Sequence, residues 1–385
     1  MKKLLIYLEN FLPSSQAFII NQAEGFHRFD TEIMAGKRIN SAHTKNSGLR
    51  VHDIRSSSRM RAGELLLKVP RLPVPSLFPP VHNADLIHAH FGKNGYVVGP
   101  LARRANKPLI TTFHGFDATY DGDPKKPGGF NQVRFFSHGR RQMASWPFNW
   151  SIAVSDFIKE KLLEKGFSEA RIHRHYIGID TSRFSPTATT RRKGLVVSIA
   201  RFVEYKGHRL MIEALERVAK QGIDLEFAMV GQGPERDRIV ELAKRKLPNV
   251  TVHENLSQDR IRELLSEAEL YLHGSVTLDN GHAEAFGLAN LEAQAVGTPV
   301  VAFRSGGVGE AVKDGETGFL LAERDVTGMA NAIGNLLSDQ ALWNEFSRRA
   351  PIFVSQNFDL NRQTALLEDY YDAVLGDHKK LGNTL

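Results

Sequence analysis

The chain of 385 residues contains no cysteine. Disulfides, thiolate nucleophiles and Cys-ligated metals are thereby excluded; the absence fits a reducing compartment, so the expected location is the cytoplasm. No apolar run approaches the roughly 18–20 residues that a helix needs to span a bilayer. The start, MKKLLIYLENFLP, has the paired lysines of a secretion signal, but Glu9 and Asn10 cut its apolar run short and it reads as a buried strand. Low-complexity tracts and repeats of solenoid length are also missing. So is the third glycine of the dinucleotide fingerprint, at every strand–helix junction. The Gly231-x-Gly233 turn of AMVGQGPERD (228–237) is weak on its own, which argues against a nicotinamide enzyme.

What is present is a composition typical of a globular protein, 42% hydrophobic and 24% charged, at a length for which two domains are the default. The net charge of +7 is unevenly shared. Residues 1–181 carry 26 Lys/Arg against 15 Asp/Glu, and the remainder 24 against 28. A basic first half points to anionic partners: phosphates, nucleic acid or a membrane surface.

Short apolar runs alternate with helix-length stretches. The first half holds LLIYL (4–8), DLIHAHF (85–91), PLITTFHG (108–115) and WSIAVS (150–155). The second holds GLVVSIA (194–200), LEFAMVG (225–231), NVTVH (249–253), ELYLHGS (269–275), TPVVAF (298–303) and TGFLL (317–321). Continuous apolar strands alternating with helices indicate parallel sheets covered on both faces, which bind ligands at the carboxyl ends of their strands. The polar stretch DTSRFSPTATTRRKG (180–194) is the expected boundary. The domains expected are 1–181, joined by a C-terminal helix from 360–385, and 182–359. That helix is read from Leu366, Leu367, Tyr370, Tyr371, Val374 and Leu375, spaced as one amphipathic face.

Charged residues at strand ends carry the chemistry. Arg201 and Lys206 follow a buried strand in SIARFVEYKGH (198–208), where two cations would hold a diphosphate. The segment EAFGLANLEAQAVGTPVV begins with Glu284 and places Glu292 eight residues later, with a helix expected to start near Gly287. The backbone N–H groups of Phe286, Gly287 and Leu288 would then be free at a helix N-terminus, a ready anion site. Glu292 is flanked by Leu288, Leu291, Ala293, Ala295 and Val296, and a buried carboxylate is rare without a partner. Beside a diphosphate a glutamate cannot be a phosphate ligand; it would accept hydrogen bonds from hydroxyls. A nucleotide-sugar offers hydroxyls on its sugar and on its ribose, with the diphosphate between. Singly, Arg201, Lys206 and Glu284 also read as solvated loop charges and Glu292 as partner to a buried cation; the set favours the ligand.

These residues, with GTPVVAFRSGGVGEAVKDGETGFLL (297–321), resemble the retaining glycosyltransferases of family 4. In the first half, DLIHAHFG (85–92) and TFHGFD (112–117) are similar to segments of members that build bacterial exopolysaccharide, O-antigen or colanic-acid-type units. The resemblance implies the GT-B fold: two Rossmann-like, doubly wound α/β domains facing across a cleft, the C-terminal helix crossing back to the first. It implies transfer of a hexose from a UDP- or GDP-linked sugar to a glycan acceptor, lipid-linked and at the inner face of the membrane, with no metal or other cofactor. Arg201 and Lys206 would neutralise the leaving diphosphate and Glu292 would hold the ribose. Glu284 would face the donor sugar, and Gly231, Ala285, Phe286, Gly287 and Leu288 would complete the donor site. His114 would face the reacting centre, with Asp117 beside it orienting His114, contacting acceptor or capping a turn. Relatives carry a glycine-rich loop after the first strand. Here it reads NFLPSSQAF (10–18), with Ser14 and Ser15 as donors in its place.

Other signals weigh less. Asp121-Gly-Asp123 imitates a metal motif but lies in a Pro/Gly-rich loop, and His82, His88 and His90 lack a carboxylate to complete a metal site. The segments RVHDIRSSSRMRAGELLLKVPRL (50–72) and RFFSHGRRQMASWPFNW (134–150) mix cations with apolar side chains. They read either as surfaces for an anionic membrane or as packed aromatics with solvated arginines. No nucleic-acid module pattern is present. The alternatives to a transferase are a non-catalytic nucleotide- or glycan-binding protein on this scaffold, or a phosphorylase or epimerase of the same fold.

Overall fold

In the computed structural model, which describes residues 1–11, 17–38, 48–68, 71–122 and 129–382, the run LLIYL is the middle of β1 (Lys2–Phe11). Leu4, Ile6 and Leu8 enter one core and Leu5 and Tyr7 another. A strand covered on both faces needs apolar side chains at odd and even positions alike, so the run is continuous rather than alternating.

The chain divides into two compact units, Met1–Gly178 with Leu360–Leu385, and Ile179–Asp359. Unit 1 adds β2 (Phe29–Arg38), β3 (Arg50–Asp53), β4 (Leu86–His90), β5 (Leu109–Phe113), β6 (Asn149–Ala153) and β7 (Ile172–Arg174). They form one parallel sheet in the order β3-β2-β1-β4-β5-β6-β7. Four of these seven strands stand out as apolar runs in the sequence. β2 mixes Asp30, Glu32, Lys37 and Arg38 with its core residues Ile33 and Met34, while β3 and β7 are edge strands of 4 and 3 residues. Edge strands are half solvated and kept short, so they leave little hydrophobic signal.

The basic segment 50–72 is β3 followed by the helix Ser58–Lys68, whose Met60 and Leu67 are buried while Leu65 and Leu72 stay exposed. In 134–150, Trp150 is buried in β6, and Trp146 stacks on Tyr96 and Phe148 with ring centroids at 6.1 and 5.4 Å. No helix among the described residues is long and apolar enough to cross a membrane.

The last helix, Leu360–Gly382, packs on unit 1. Leu367, Tyr371 and Val374 enter the core beside β1 and Tyr370 and Leu375 lie at its margin, but Leu366 is exposed. Neighbouring residues on a helix point about 100° apart, so Leu366 and Leu367 do not both reach the sheet. Polar contacts fix the same helix. Glu368 accepts hydrogen bonds from the N–H groups of His27 and Arg28 at 2.9 and 2.6 Å, and the Tyr371 hydroxyl lies 2.6 Å from His88 Nδ1.

Unit 2 contains β8 (Arg192–Ile199), β9 (Glu226–Val230), β10 (Asn249–His253), β11 (Ala268–His273), β12 (Val300–Phe303) and β13 (Gly318–Leu321). All six coincide with runs read from the sequence. They form a second parallel sheet, β10-β9-β8-β11-β12-β13. Strand order reverses between β1 and β4 in unit 1 and between β8 and β11 in unit 2. In open parallel sheets the loops diverge at such points and leave a crevice at the carboxyl ends.

Candidate active site

At the unit 2 switch point the β8 loop carries Arg201 and Lys206, while His273 ends β11 and the loop after it carries Ser275 and Glu284. The two loops are tied together by the Val276 N–H, which donates to the Tyr205 carbonyl at 2.8 Å. From the β12 side, the Gly307 N–H donates to the Glu284 carbonyl at 2.9 Å. Gly306 has φ +52°, and a Cβ there would lie 2.1 Å from that same carbonyl oxygen, so the close approach requires glycine. Gly231, at the end of β9, has φ +152°, and a Cβ would meet the Ala200 carbonyl oxygen at 2.1 Å. Its contribution to the site is thus the close passage of two main chains.

Lys206 and Glu284 form an ion pair, with both side chains nearly buried. Ser275 Oγ donates to the same carboxylate at 3.2 Å and His273 Nε2 lies 3.5 Å away. Burial alone would raise the Glu284 carboxyl, but the Lys206 ammonium and His273 outweigh it and hold the group well below the usual carboxylate range. Burial likewise opposes the Lys206 charge, and Glu284 overcomes it, so Lys206 stays an ammonium. His273 is pushed down by burial and stays neutral near pH 7. Arg201 is exposed, its guanidinium 3.5 Å from the Tyr205 hydroxyl. His273 and Ser275 were missed in the sequence; their only signal was their position at the end of a buried strand.

The helix after Glu284 runs Leu288–Ala295, with Gly287 at its N-cap and no side chain capping it. The Phe286 side chain is buried against Phe358, at 5.5 Å between ring centroids, so Phe286 can offer a ligand only its main chain. Asn290, one turn in, is fully buried, and neither atom of its amide has a partner among the described residues. Such an amide is costly unless something completes it, and an eight-residue amphipathic stretch gave no sign of it.

Glu292 lies on the same helix, half-buried, and burial pushes its carboxyl up to about 7, with Arg183 opposing. A carboxyl raised in the folded state costs stability as pH rises from its unfolded value towards its folded one. Replacing Glu292 by Gln is therefore expected to raise the Tm at about pH 8 and to change it much less near pH 4.5, where the carboxyl is protonated in the folded state and about half protonated in the unfolded one. Thermal unfolding at the two pH values checks this; an equal change at both would place the effect in packing.

In unit 1, His90 ends β4 and His114 follows β5. His114 Nε2 lies 3.1 Å from His90 Nδ1, and His114 Nδ1 is buried without a partner among the described residues. Phe91 and Phe18 pack on the His114 ring, with centroids at 4.6 and 5.3 Å. Burial first, then its histidine neighbour, drives His114 well below the ordinary range, so it is neutral at pH 7. Asp117 is buried, and its carboxylate accepts the N–H groups of Gly92, His114 and Gly115 at 2.7, 3.0 and 2.9 Å. It holds the main chain at His114 and Gly115, which is the turn-capping role among those read for it in the sequence. Its pKa is raised by burial against those hydrogen bonds.

Ser14 and Ser15 lie outside the described residues, as does Asp123. Asp121 pairs with Arg140 and, at 2.7 Å, with Lys165. His88 is engaged by Tyr371 and by Thr112 at 2.7 Å.

Two doubly wound parallel sheets, of seven and six strands, are the architecture of the GT-B fold. Residues 181–352 match the family model for glycosyl transferases group 1, and residues 40–183 that for glycosyltransferase family 4. The chain belongs to this family 4-type group. It is 29% identical over 301 residues to a glycogen synthase of Mycobacterium tuberculosis, covering 77% of this chain and 70% of that one. It is 27% identical over 295 residues to the putative colanic acid biosynthesis glycosyltransferase WcaL of Salmonella typhimurium, with coverage of 74% and 70%. The solved Anabaena protein Alr3699/HepE, in complex with UDP and glucose, superposes with a TM-score of 0.77 at 20% identity, covering 97% of this chain and 100% of that one.

Proposed function

We propose that the protein transfers a hexose from a UDP- or GDP-linked sugar to a glycan acceptor, lipid-linked, with net retention of anomeric configuration. The observation that carries this reading is the Lys206–Glu284 pair, set at a switch point beside an uncapped helix terminus. An ammonium held ionised in a nearly buried site, with Arg201 nearby, suits the diphosphate that departs when the anomeric C–O bond breaks. Since these side chains supply the positive charge, the reading calls for no metal. Glu284 accepts from sugar hydroxyls, and the amides of Gly287 and Leu288 meet the diphosphate or the sugar. Glu292 holds ribose hydroxyls.

His114 is neutral and has one nitrogen unused, which makes it a hydrogen-bonding partner for a sugar hydroxyl rather than a charged acid. The new bond forms from an acceptor hydroxyl to the anomeric carbon on the face the diphosphate leaves. The complexes of Alr3699/HepE with UDP and glucose and with UDP-glucose, and the colanic acid biosynthesis in the putative name of the WcaL relative, support this choice of substrate class. Incubation with a panel of UDP- and GDP-sugars, read by NMR, tests it. One donor should be consumed, releasing its nucleoside diphosphate and giving sugar of unchanged anomeric configuration. Inverted sugar would remove the retaining reading, and consumption of none of the donors would remove the donor class.

A further inference from the structure

Unit 1 has a second concave site, far along the sheet from His90 and His114. Those histidines lie at the carboxyl ends of β4 and β5. At the amino ends of β5 and β6, a cavity of about 640 Å³ opens between the end of the helix Gly92–Arg104, the segments leading into the two strands, and the last helix. Its walls include Arg71, Arg103, Lys107 and His378, with Trp146 and Phe148 as the apolar side, and no carboxylate among the described residues lines it.

Arg71 is built into this wall. Its main chain is at φ +58°, a conformation rare for a bulky residue. Its guanidinium lies 4.0 Å from the centre of the Tyr96 ring, and Nη2 donates to the Tyr96 carbonyl at 3.0 Å. Nη1 is buried and has no acceptor among the described residues. Burial, and then Arg134 nearby, weigh against its charge. Other cations of this unit are treated differently: Lys68 and Lys93 both pair with Glu9, and Arg140 with Asp121. A pinned, half-buried guanidinium with an idle N–H edge and no counter-ion is the arrangement that binds an oxyanion.

His378 adds an independent observation. Its Nε2 lies 3.3 Å from the Asn106 carbonyl, so this nitrogen carries the proton in the neutral ring. Its Nδ1, buried and without a partner, is left to accept a hydrogen bond. An anion alone would not satisfy it; a neighbouring hydroxyl would.

We propose that this cavity is a binding site for a phosphate ester of a polyol, the phosphate on Arg71, Arg103 and Lys107 and a hydroxyl on His378. Both a soluble sugar or glycerol phosphate and the headgroup of a phosphatidylglycerol membrane have this chemistry. The site lies wholly within unit 1 and does not depend on the donor assignment.

Hydrogen–deuterium exchange of the full chain tests it, because protection is read segment by segment. With glycerol 3-phosphate at about 5 mM, or with phosphatidylglycerol vesicles, exchange in 103–107 and 142–148 is expected to slow by about threefold or more. Phosphatidylcholine vesicles serve as the blank. Protection by glycerol 3-phosphate identifies a soluble ligand, and protection by the anionic vesicles alone identifies a membrane headgroup. Arg71→Gln should abolish the effect; should that variant not fold, the double variant Arg103→Gln with Lys107→Gln, both outside the core, carries the same expectation. No protection in these segments with either probe would overturn the proposal, as would protection that survives the substitutions.

Discussion

Glu284→Gln is expected to lower kcat by about a thousandfold, some 4 kcal/mol of transition-state stabilisation, while donor KM stays within about tenfold. Glutamine keeps the size of the side chain and one carbonyl acceptor for the Ser275 hydroxyl, which approaches at 3.2 Å. It removes the charge that holds the Lys206 ammonium in a nearly buried place. Lys206 then loses the group that keeps it ionised, and the charge that would meet the departing diphosphate weakens at the moment it is needed. Ground-state binding rests on more groups, including Arg201 and the helix terminus, and falls less. Steady-state kinetics with the donor found in the sugar panel measure both quantities. A KM effect with kcat unchanged would mean that Glu284 only binds, and no effect on either would remove it from the site.

Glu368→Ala should destabilise the protein by about 2–4 kcal/mol, read as a Tm lower by roughly 5–10 °C. The Glu368 side chain is buried, and its carboxylate satisfies two main-chain N–H groups, those of His27 and Arg28, just before β2. Truncation orphans both donors and unties the last helix from the sheet it covers. Arg28 also lies 3.5 Å from Glu368, but its other partners, Asp369 and Asp372, remain, so the loss comes from the main chain more than from the ion pair. Glu368→Gln keeps the Oε1 that accepts from both N–H groups and loses only the charge, so it should cost clearly less. A change under about 0.5 kcal/mol for the alanine variant would show that the helix is held by Leu367, Tyr371 and Val374 alone.

The strands most legible in the sequence are those at the centres of the two sheets, which carry apolar side chains on both faces. The unit 2 edges β10 and β13 were also legible, through Val250 and Val252 and through Phe319, Leu320 and Leu321. β2 escaped because charged residues at its ends dilute the pattern, and β3 and β7 because short edges bury little. For the site, order along the chain revealed cations and carboxylates at strand ends, yet it did not reveal that Lys206 and Glu284 meet. Their pairing follows from sheet order: β8 and β11 are neighbours although two strands separate them in sequence. A long-range contact likewise brings Tyr371 to His88, while His90 meets His114 across the consecutive strands β4 and β5. Asp117 illustrates a subtler limit, since its residue type suits an acid or an orienting group equally, and only the three N–H groups around it show what it holds.

The most direct test of the central claim is nucleotide binding by the full chain, wild type and Lys206→Ala, followed by thermal unfolding with about 1 mM UDP, GDP, ADP or NAD. A ligand at about a hundred times its dissociation constant adds roughly 2.7 kcal/mol, or several degrees. The account predicts a rise with UDP or GDP alone, and its loss in the variant. Stabilisation by NAD instead, or an equal UDP or GDP shift in wild type and variant, would contradict it.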